Sequence, residues 1–293
     1  MDSTSPHLRS QIELLTELGV KVRDTGHARW TAVEKYTALN DVLSSWKEKV
    51  VSPHIYTITD GWAASDYDYA LPAYVRPPIV PQLLRRTPSD NYVSDSLTST
   101  WQDVPGWEVE PDGAGAYVLR LYSPPRTLEG RVLFYAPNSR VPTTGTLPVT
   151  SGSTAADATT MLISTAIIVD DIGYVKVDSE YIGYAGVTRG TSTTTLLNLE
   201  RALFGSTAAV HNTATTVYWC VAMDDMRLDG LLFDQWRVAL HEYFIQDGGT
   251  HERTSHEKAM GWHQQLADAF WKTYRGAKPY SHMTLSGRQF RLR

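Results

Sequence analysis

Trp30-Thr-Ala-Val-Glu-Lys-Tyr-Thr-Ala-Leu-Asn-Asp-Val-Leu-Ser-Ser-Trp-Lys-Glu-Lys-Val50 places its apolar residues at Ala32, Tyr36, Leu39, Leu43, Trp46 and Val50, in alternating steps of four and three. That spacing predicts a helix with one buried stripe. Thr31 followed by Glu34 is a capping box, each side chain satisfying a backbone N–H that the first turn leaves unpaired. Pro53 is expected to end the helix, because its ring clashes with the preceding turn and it brings no N–H. Such a stripe needs a partner, and a comparable period returns only near Leu228. The partner is therefore expected at the other end of the chain. The fold class expected is α+β: a four-helix body formed by both termini, with antiparallel β domains inserted between them.

Working outward, Ser5-Pro6 reads as an N-cap with proline at the first helical position, Leu8, Ile12, Leu15 and Leu18 form one face, and Gly19 is the stop. Val20 to Arg29 is a polar turn. At the far end, Leu228, Leu231, Leu232, Trp236, Ala239, Leu240, Tyr243 and Phe244 make a second stripe, closed by Gly248-Gly249. A last helix is expected from Thr254 or Ser255, with Glu257 completing a capping box, and with Ala259, Trp262, Leu266, Ala269, Phe270 and Tyr274 facing inward.

Between these pairs the period changes to two. Ile55–Thr59 alternates β-branched and aromatic residues, 65–72 alternates again, and Pro72, Pro77, Pro78 and Pro81 suggest a bridge over the surface. Trp107–Val109, Tyr117–Tyr122 and Arg131–Tyr135 are three short strands suited to one small antiparallel sheet. Val141 to Asp157 is rich in Thr, Gly, Ser and Pro and reads as a boundary. Ile167–Val169 is a strand, 173–184 a hairpin turning near Asp178-Ser179, and Leu196–Arg201 and Thr216–Trp219 are two more strands joined by the loop 205–211. Together these predict a small β-barrel-like module at about 150–220. The expected domains are residues 1–54 (helical pair), 55–149 (β insertion), 150–220 (β module), 221–276 (helical pair) and 277–293 (basic arm).

The 293 residues carry a formal charge of −5, unevenly spread. Lys272, Arg275, Lys278, Arg288, Arg291 and Arg293 lie in the last 25 residues with no acidic residue, which leaves 21 basic and 32 acidic residues in the first 268. A short cationic tail on an acidic body suits an acidic partner surface or nucleic acid. No apolar run approaches the roughly 18 residues of a membrane span, and the first residues lack a signal-peptide pattern, so an intracellular site of synthesis and no membrane partner are expected. One cysteine, Cys220, leaves no internal disulfide or cysteine-clustered zinc site; a buried small hydrophobe is its expected state.

The search for chemistry is negative. His251-Glu252 with His256 misses the zinc-protease spacing by one residue, which turns the two rings about 140° apart on a helix. A polar loop and an exposed first turn are expected there instead. Asp170-Asp171 and Asp224-Asp225 are neighbours that point to opposite faces rather than a matched acid and base. No phosphate loop, dinucleotide fingerprint or nucleophile elbow is present, so no catalytic residue, cofactor or metal is expected. The nine tryptophans and sixteen tyrosines fall mostly on the buried stripes.

Two resemblances bear on function. Gly173-Tyr-Val-Lys-Val-Asp-Ser-Glu-Tyr-Ile-Gly-Tyr184, then 199–211 with Arg201, Gly205-Ser-Thr-Ala and His211, then Thr216-Val-Tyr218, resembles a small β module of tailed-bacteriophage virion proteins. There a glycine often follows the arginine, where this chain has Ala202-Leu-Phe before Gly205. Leu14-Leu-Thr-Glu-Leu, Arg29-Trp-Thr31, Leu39-Asn-Asp41 and Tyr69-Ala-Leu-Pro72, with the last helix and basic tail, resemble phage head-to-tail adaptor (connector) proteins. The resemblance implies a structural, non-enzymatic virion protein at the head–tail junction, assembled in the host cytoplasm. It further implies a homo-oligomeric ring, commonly of twelve copies, that binds the portal protein and the next tail or neck ring and lets DNA pass without sequence-specific contact. Lys278, Tyr280, Arg288, Phe290, Arg291, Leu292 and Arg293 are the candidate docking residues. The alternative expectation is a tail, baseplate or fibre-associated protein whose β module binds a host glycan or a partner tail protein.

Overall fold

The computed structural model describes residues 7–47, 50–58, 66–72, 82–86, 101–103, 106–113, 117–122, 129–144, 146–164, 167, 169–223, 227–247 and 250–273. Their strands are β1 (His7–Ser10), β2 (Val51–Ile58), β3 (Asp68–Leu71), β4 (Gln82–Arg86), β5 (Trp101–Asp103), β6 (Trp107–Pro111), β7 (Tyr117–Leu121), β8 (Glu129–Pro137), β9 (Met161–Ile163), β10 (Ile172–Val177), β11 (Glu180–Ala185), β12 (Val187–Arg189), β13 (Thr194–Leu196), β14 (Glu200–Leu203) and β15 (Val217–Met223). The helices are α1 (Gln11–Lys21), α2 (Ala32–Ser45), α3 (Arg227–Asp247) and α4 (Thr250–Thr273). The protein is α+β, with small antiparallel sheets and with helices from the two ends in contact. The described residues fall into two compact units, one drawn from the stretches before Pro53 and after Ala136, the other from Pro53–Ala136.

In the first unit α2 forms where its stripe predicts. Thr31 Oγ1 accepts the Glu34 N–H at 3.2 Å, and the Glu34 carboxylate accepts the Thr31 N–H at 2.7 Å. The helix ends at Ser45, well before Pro53, and Pro53 lies inside β2. Trp46 and Val50 are nevertheless buried, because the Val50 N–H turns back to the Trp46 carbonyl at 2.9 Å. The Trp46 indole N–H donates to Gln235 of α3, and its ring meets Trp271 of α4 edge-on at 5.7 Å. The Trp236 indole donates to the Lys35 carbonyl at 2.7 Å, so α3 is tied back to α2 by a buried bond.

Helix α1 corrects the expected start. Its cap is Ser10, in a capping box with Glu13, and not Ser5; Gly19 lies inside the helix and Val22 caps its end. The competing force is a sheet: β1 pairs antiparallel with β15, with Leu8 opposite Ala222 and Ser10 opposite Cys220. Leu8 therefore packs on a sheet face instead of a helix stripe. The last helix is corrected too, beginning at Thr250 and enclosing Thr254 and Ser255.

The hairpin at 173–184 appears as β10 and β11, with its turn at Asp178-Ser179 as expected. Ile167 and Val169, the described residues of the expected strand 167–169, lie in no strand; β9 lies a few residues earlier and pairs with β13. The expected strand 196–201 is split into β13 and β14 around Asn198, whose φ of 49° no strand accommodates. The barrel-like module is also corrected. Among the described residues the order β1-β15-β10-β11-β14 is an open five-stranded sheet, and β12-β13-β9 is a separate small one. The described residues of 141–157 carry no named strand or helix, only isolated bridges such as Thr154 with His211.

One face of the five-stranded sheet carries Val175, Val177, Ile182, Tyr184, Val217, Trp219 and Val221, and it joins α1, α2 and α3 in one continuous core. The period of two sends Tyr174, Cys220 and Ala222 to the other face, under Leu8 and Leu203. Burying a large apolar side chain contributes about 1.5–3 kcal/mol, so this two-sided packing is the main stabilising term. Two asparagines splice the chain between elements. Asn40 exchanges hydrogen bonds with the Val141 carbonyl (2.9 Å) and N–H (2.8 Å), and Asn138 does the same with Ala222 (both 2.7 Å). Gly173 is required, since a Cβ there would lie 2.5 Å from Ser139 Oγ and 2.7 Å from Tyr184 Oη.

The second unit holds the sheets β2-β8-β4-β5 and β3-β7-β6. β6 and β7 pair as expected, but β8 belongs to the other sheet. Residues 73–81, read as a proline bridge, lie outside the described residues, while β4 just beyond them pairs with β5 and β8.

Candidate functional site

The three polar residues of the β-module pattern meet in one place. Glu180 opens β11 fully buried, Arg201 comes from β14, and His211 from the loop before β15. Glu180 Oε1 accepts from Arg201 Nε (2.8 Å) and the Ala202 N–H (3.0 Å); Oε2 accepts from Arg201 Nη2 (2.8 Å), the Ala209 N–H (3.0 Å) and His211 Nε2 (2.8 Å). Burial alone would raise this carboxyl, but Arg201, the Ala209 and Ala202 amides and His211 outweigh it and bring it down to about 2. His211 Nδ1 lies 2.9 Å from Asp178, so a carboxylate flanks each ring nitrogen. Arg201 also donates to the Ala155 and Ala209 carbonyls at 2.5 and 2.7 Å. With its carboxylate saturated and shielded from water, this cluster is a knot that closes loops rather than a reacting centre.

The knot also explains the departure at the position after Arg201. Ala202 has a φ of 57°, the left-handed conformation that glycine adopts without strain, and Phe204 and Gly205 follow with φ of 53° and 78°.

A second buried charge sits in the polar turn before α2. The Asp24 carboxylate accepts the N–H groups of Ala28, Arg29 and Trp30 at 2.8–3.1 Å and pairs with the fully buried Lys35 at 2.9 Å. Its burial penalty is outweighed by Lys35 and by the Arg29 and Trp30 amides, which hold the carboxyl at about 2. Arg23 and Arg29 line an open cleft of about 600 Å³ beside it.

Along α4 the expected inward stripe is displaced. Trp262 is 61 % exposed, Leu266 40 % exposed, and Ala269 faces solvent with them; Phe270 packs against the core as expected, joined there by His256, Ala267 and Trp271, and Tyr274 lies outside the described residues. His256 is thus buried, against the expected exposed first turn, and meets His241 of α3; the side chains of His251 and Glu252 lie outside the described residues. The other residues singled out from the sequence are structural. Asp170 pairs with Arg140 (2.8 Å) and Asp171 with Arg189 (2.7 Å), and Cys220 is buried, its thiol pushed up by desolvation. Asp224 and Asp225 lie outside the described residues, as do the candidate docking residues Lys278, Tyr280, Arg288, Phe290, Arg291, Leu292 and Arg293.

Among the described residues no three His, Cys, Asp or Glu side chains are arranged to hold a metal ion, and no helix is long and apolar enough to cross a membrane. What sequence reasoning misplaced is the outer face of α4, whose exposed Trp262 and Leu266 were assigned to the core. No protein-family model, curated protein or solved structure matches this chain.

Proposed function

We propose that this protein is a structural component of a tailed-bacteriophage virion, a head-to-tail adaptor whose copies form a ring between the portal and the tail around the DNA exit channel. In this reading the helical body built from both ends of the chain is the ring-forming part, and the β segments are insertions in it. The observation that carries it is the outer face of α4, where Trp262 and Leu266 stand in solvent immediately ahead of a cationic tail. A large exposed apolar side chain beside a second one marks an interaction surface. A closed heterologous ring gives each such face a neighbour to cover it. The acidic balance of the first 268 residues, 32 acidic against 21 basic, suits a channel wall that repels DNA phosphates and lets them slide.

The test is assembly. Light scattering and negative-stain images of the purified chain are expected to show a closed ring, and Trp262→Glu with Leu266→Glu to give folded monomers with an unchanged circular dichroism spectrum. Deleting residues 277–293 is expected to leave a folded protein that no longer binds the portal. A wild-type chain that stays monomeric at high concentration, or a truncated chain that binds the portal normally, would overturn the adaptor reading.

A further inference from the structure

We infer that the α3–α4 hairpin is a proton-operated clasp: acidification charges His241 and loosens α4 from α3 while the five-stranded sheet stays folded. Three histidines gather where the two helices meet. His241 of α3 and His256 of α4 approach Nδ1 to Nδ1 at 2.5 Å, with ring centroids 4.7 Å apart, and His263 of α4 stacks on His241 at 6.4 Å. A contact between two imidazole nitrogens holds with one hydrogen between them, one ring donating and the other accepting. A second proton removes the acceptor and sets two N–H groups against each other at the same spot.

Arg237 and Arg29 act against an added positive charge on His241. Facing His241 are His256 and His263 from α4, Arg237 from its own helix, and Arg29 with the edge of the Trp30 ring from the segment before α2. Asp234 of α3 is engaged by His263 Nδ1 at 3.0 Å and by Arg237 at 3.6 Å. Burial first, then His256, His263, Arg237 and Arg29, push His241 down to about 4. The sign follows. The closed hairpin keeps His241 neutral, and the open one lets it regain the ordinary value of about 6.5. Opening is therefore resisted in full above pH 6.5 and favoured progressively as pH falls towards 4. Between pH 7.5 and 4.5 this single linkage raises the open fraction by roughly seventyfold.

Hydrogen exchange on the full chain, corrected for intrinsic rates, tests it. The amides of 254–273 are expected to lose roughly seventyfold in protection from pH 7.5 to 4.5, while those of β10 and β11 hold. His241→Gln, which cannot charge, is expected to flatten the α4 response to under about threefold, and His256→Gln, which removes the same nitrogen pair, to weaken it as well. If wild-type α4 protection is independent of pH, or if both variants lose it as wild type does, the clasp is overturned. The wild-type profile decides on its own should either variant fail to fold.

Discussion

At the scale of single residues, Ala202 and Asp24 show how this chain departs from simple rules and compensates. A non-glycine residue at φ 57° is strained by about 1–2 kcal/mol, and Ala202 is held there because its N–H is one of the donors on Glu180. Ala202→Gly is therefore expected to be neutral or to stabilise by up to about 1 kcal/mol in urea unfolding, against the usual cost of glycine. Asp24 is the opposite case. Asp24→Asn keeps the shape but leaves Lys35, with none of its side chain exposed, without its counter-charge, and is expected to cost about 3–5 kcal/mol by the same measurement. Neither role was readable from composition. Asp24 looked like one more residue of a polar turn, and the three N–H groups that it accepts become visible only once the loop is closed around it.

At the scale of elements, strong periodicity proved the reliable signal, and its phase the weak one. The α2 stripe, the α3 stripe from Leu228 to Leu240 and the hairpin expected at 173–184 are where the sequence places them, because each buries one apolar face, while the side chains of Tyr243 and Phe244 lie outside the described residues. Trp46→Ala is expected to cost about 3–5 kcal/mol, since the ring is 1 % exposed and fills the junction with α3 and α4. The N-terminal strand β1 was hidden because Leu8 fits a helix stripe as well as a strand, and only a partner more than two hundred residues away decides between them. Helix α4 was given the wrong inner face for a related reason. Counting apolar residues turns Trp262 and Leu266 inward, whereas close approach to α3 is made by the small Ala267 and by histidines, which a hydrophobicity pattern scores as polar.

At the scale of the molecule, the class, the four helices and the meeting of the two ends were legible, while the join between helices and sheet was not. What looked like a module between two helical pairs shares their core, and the residues that splice it, Asn40 and Asn138, are of a type more often found in exposed turns. The buried carboxylates set the response of the whole fold to acid. Asp24 and Glu180 sit at about 2, below their ordinary values of 3.8 and 4.5. The stability they contribute is complete above pH 4.5 and is lost as pH falls towards 2. Thermal melts are expected to be flat with respect to these two groups down to pH 4.5 and then to fall steeply, with a combined loss on the order of 2–5 kcal/mol. The Arg201→Lys variant, which cannot reproduce the two-pronged bond to Glu180, is expected to begin falling at higher pH.

The antiparallel pairing of His7–Ser10 with Val217–Met223 has a consequence for biogenesis. A ribosome delivers the amino end first, so β1 waits, without its mate, until the more than two hundred residues that separate it from β15 have left the exit tunnel. Through that interval Leu8 and the greasy side of the first helix are open to chaperones or to premature association, and native closure comes as a late, long-range event.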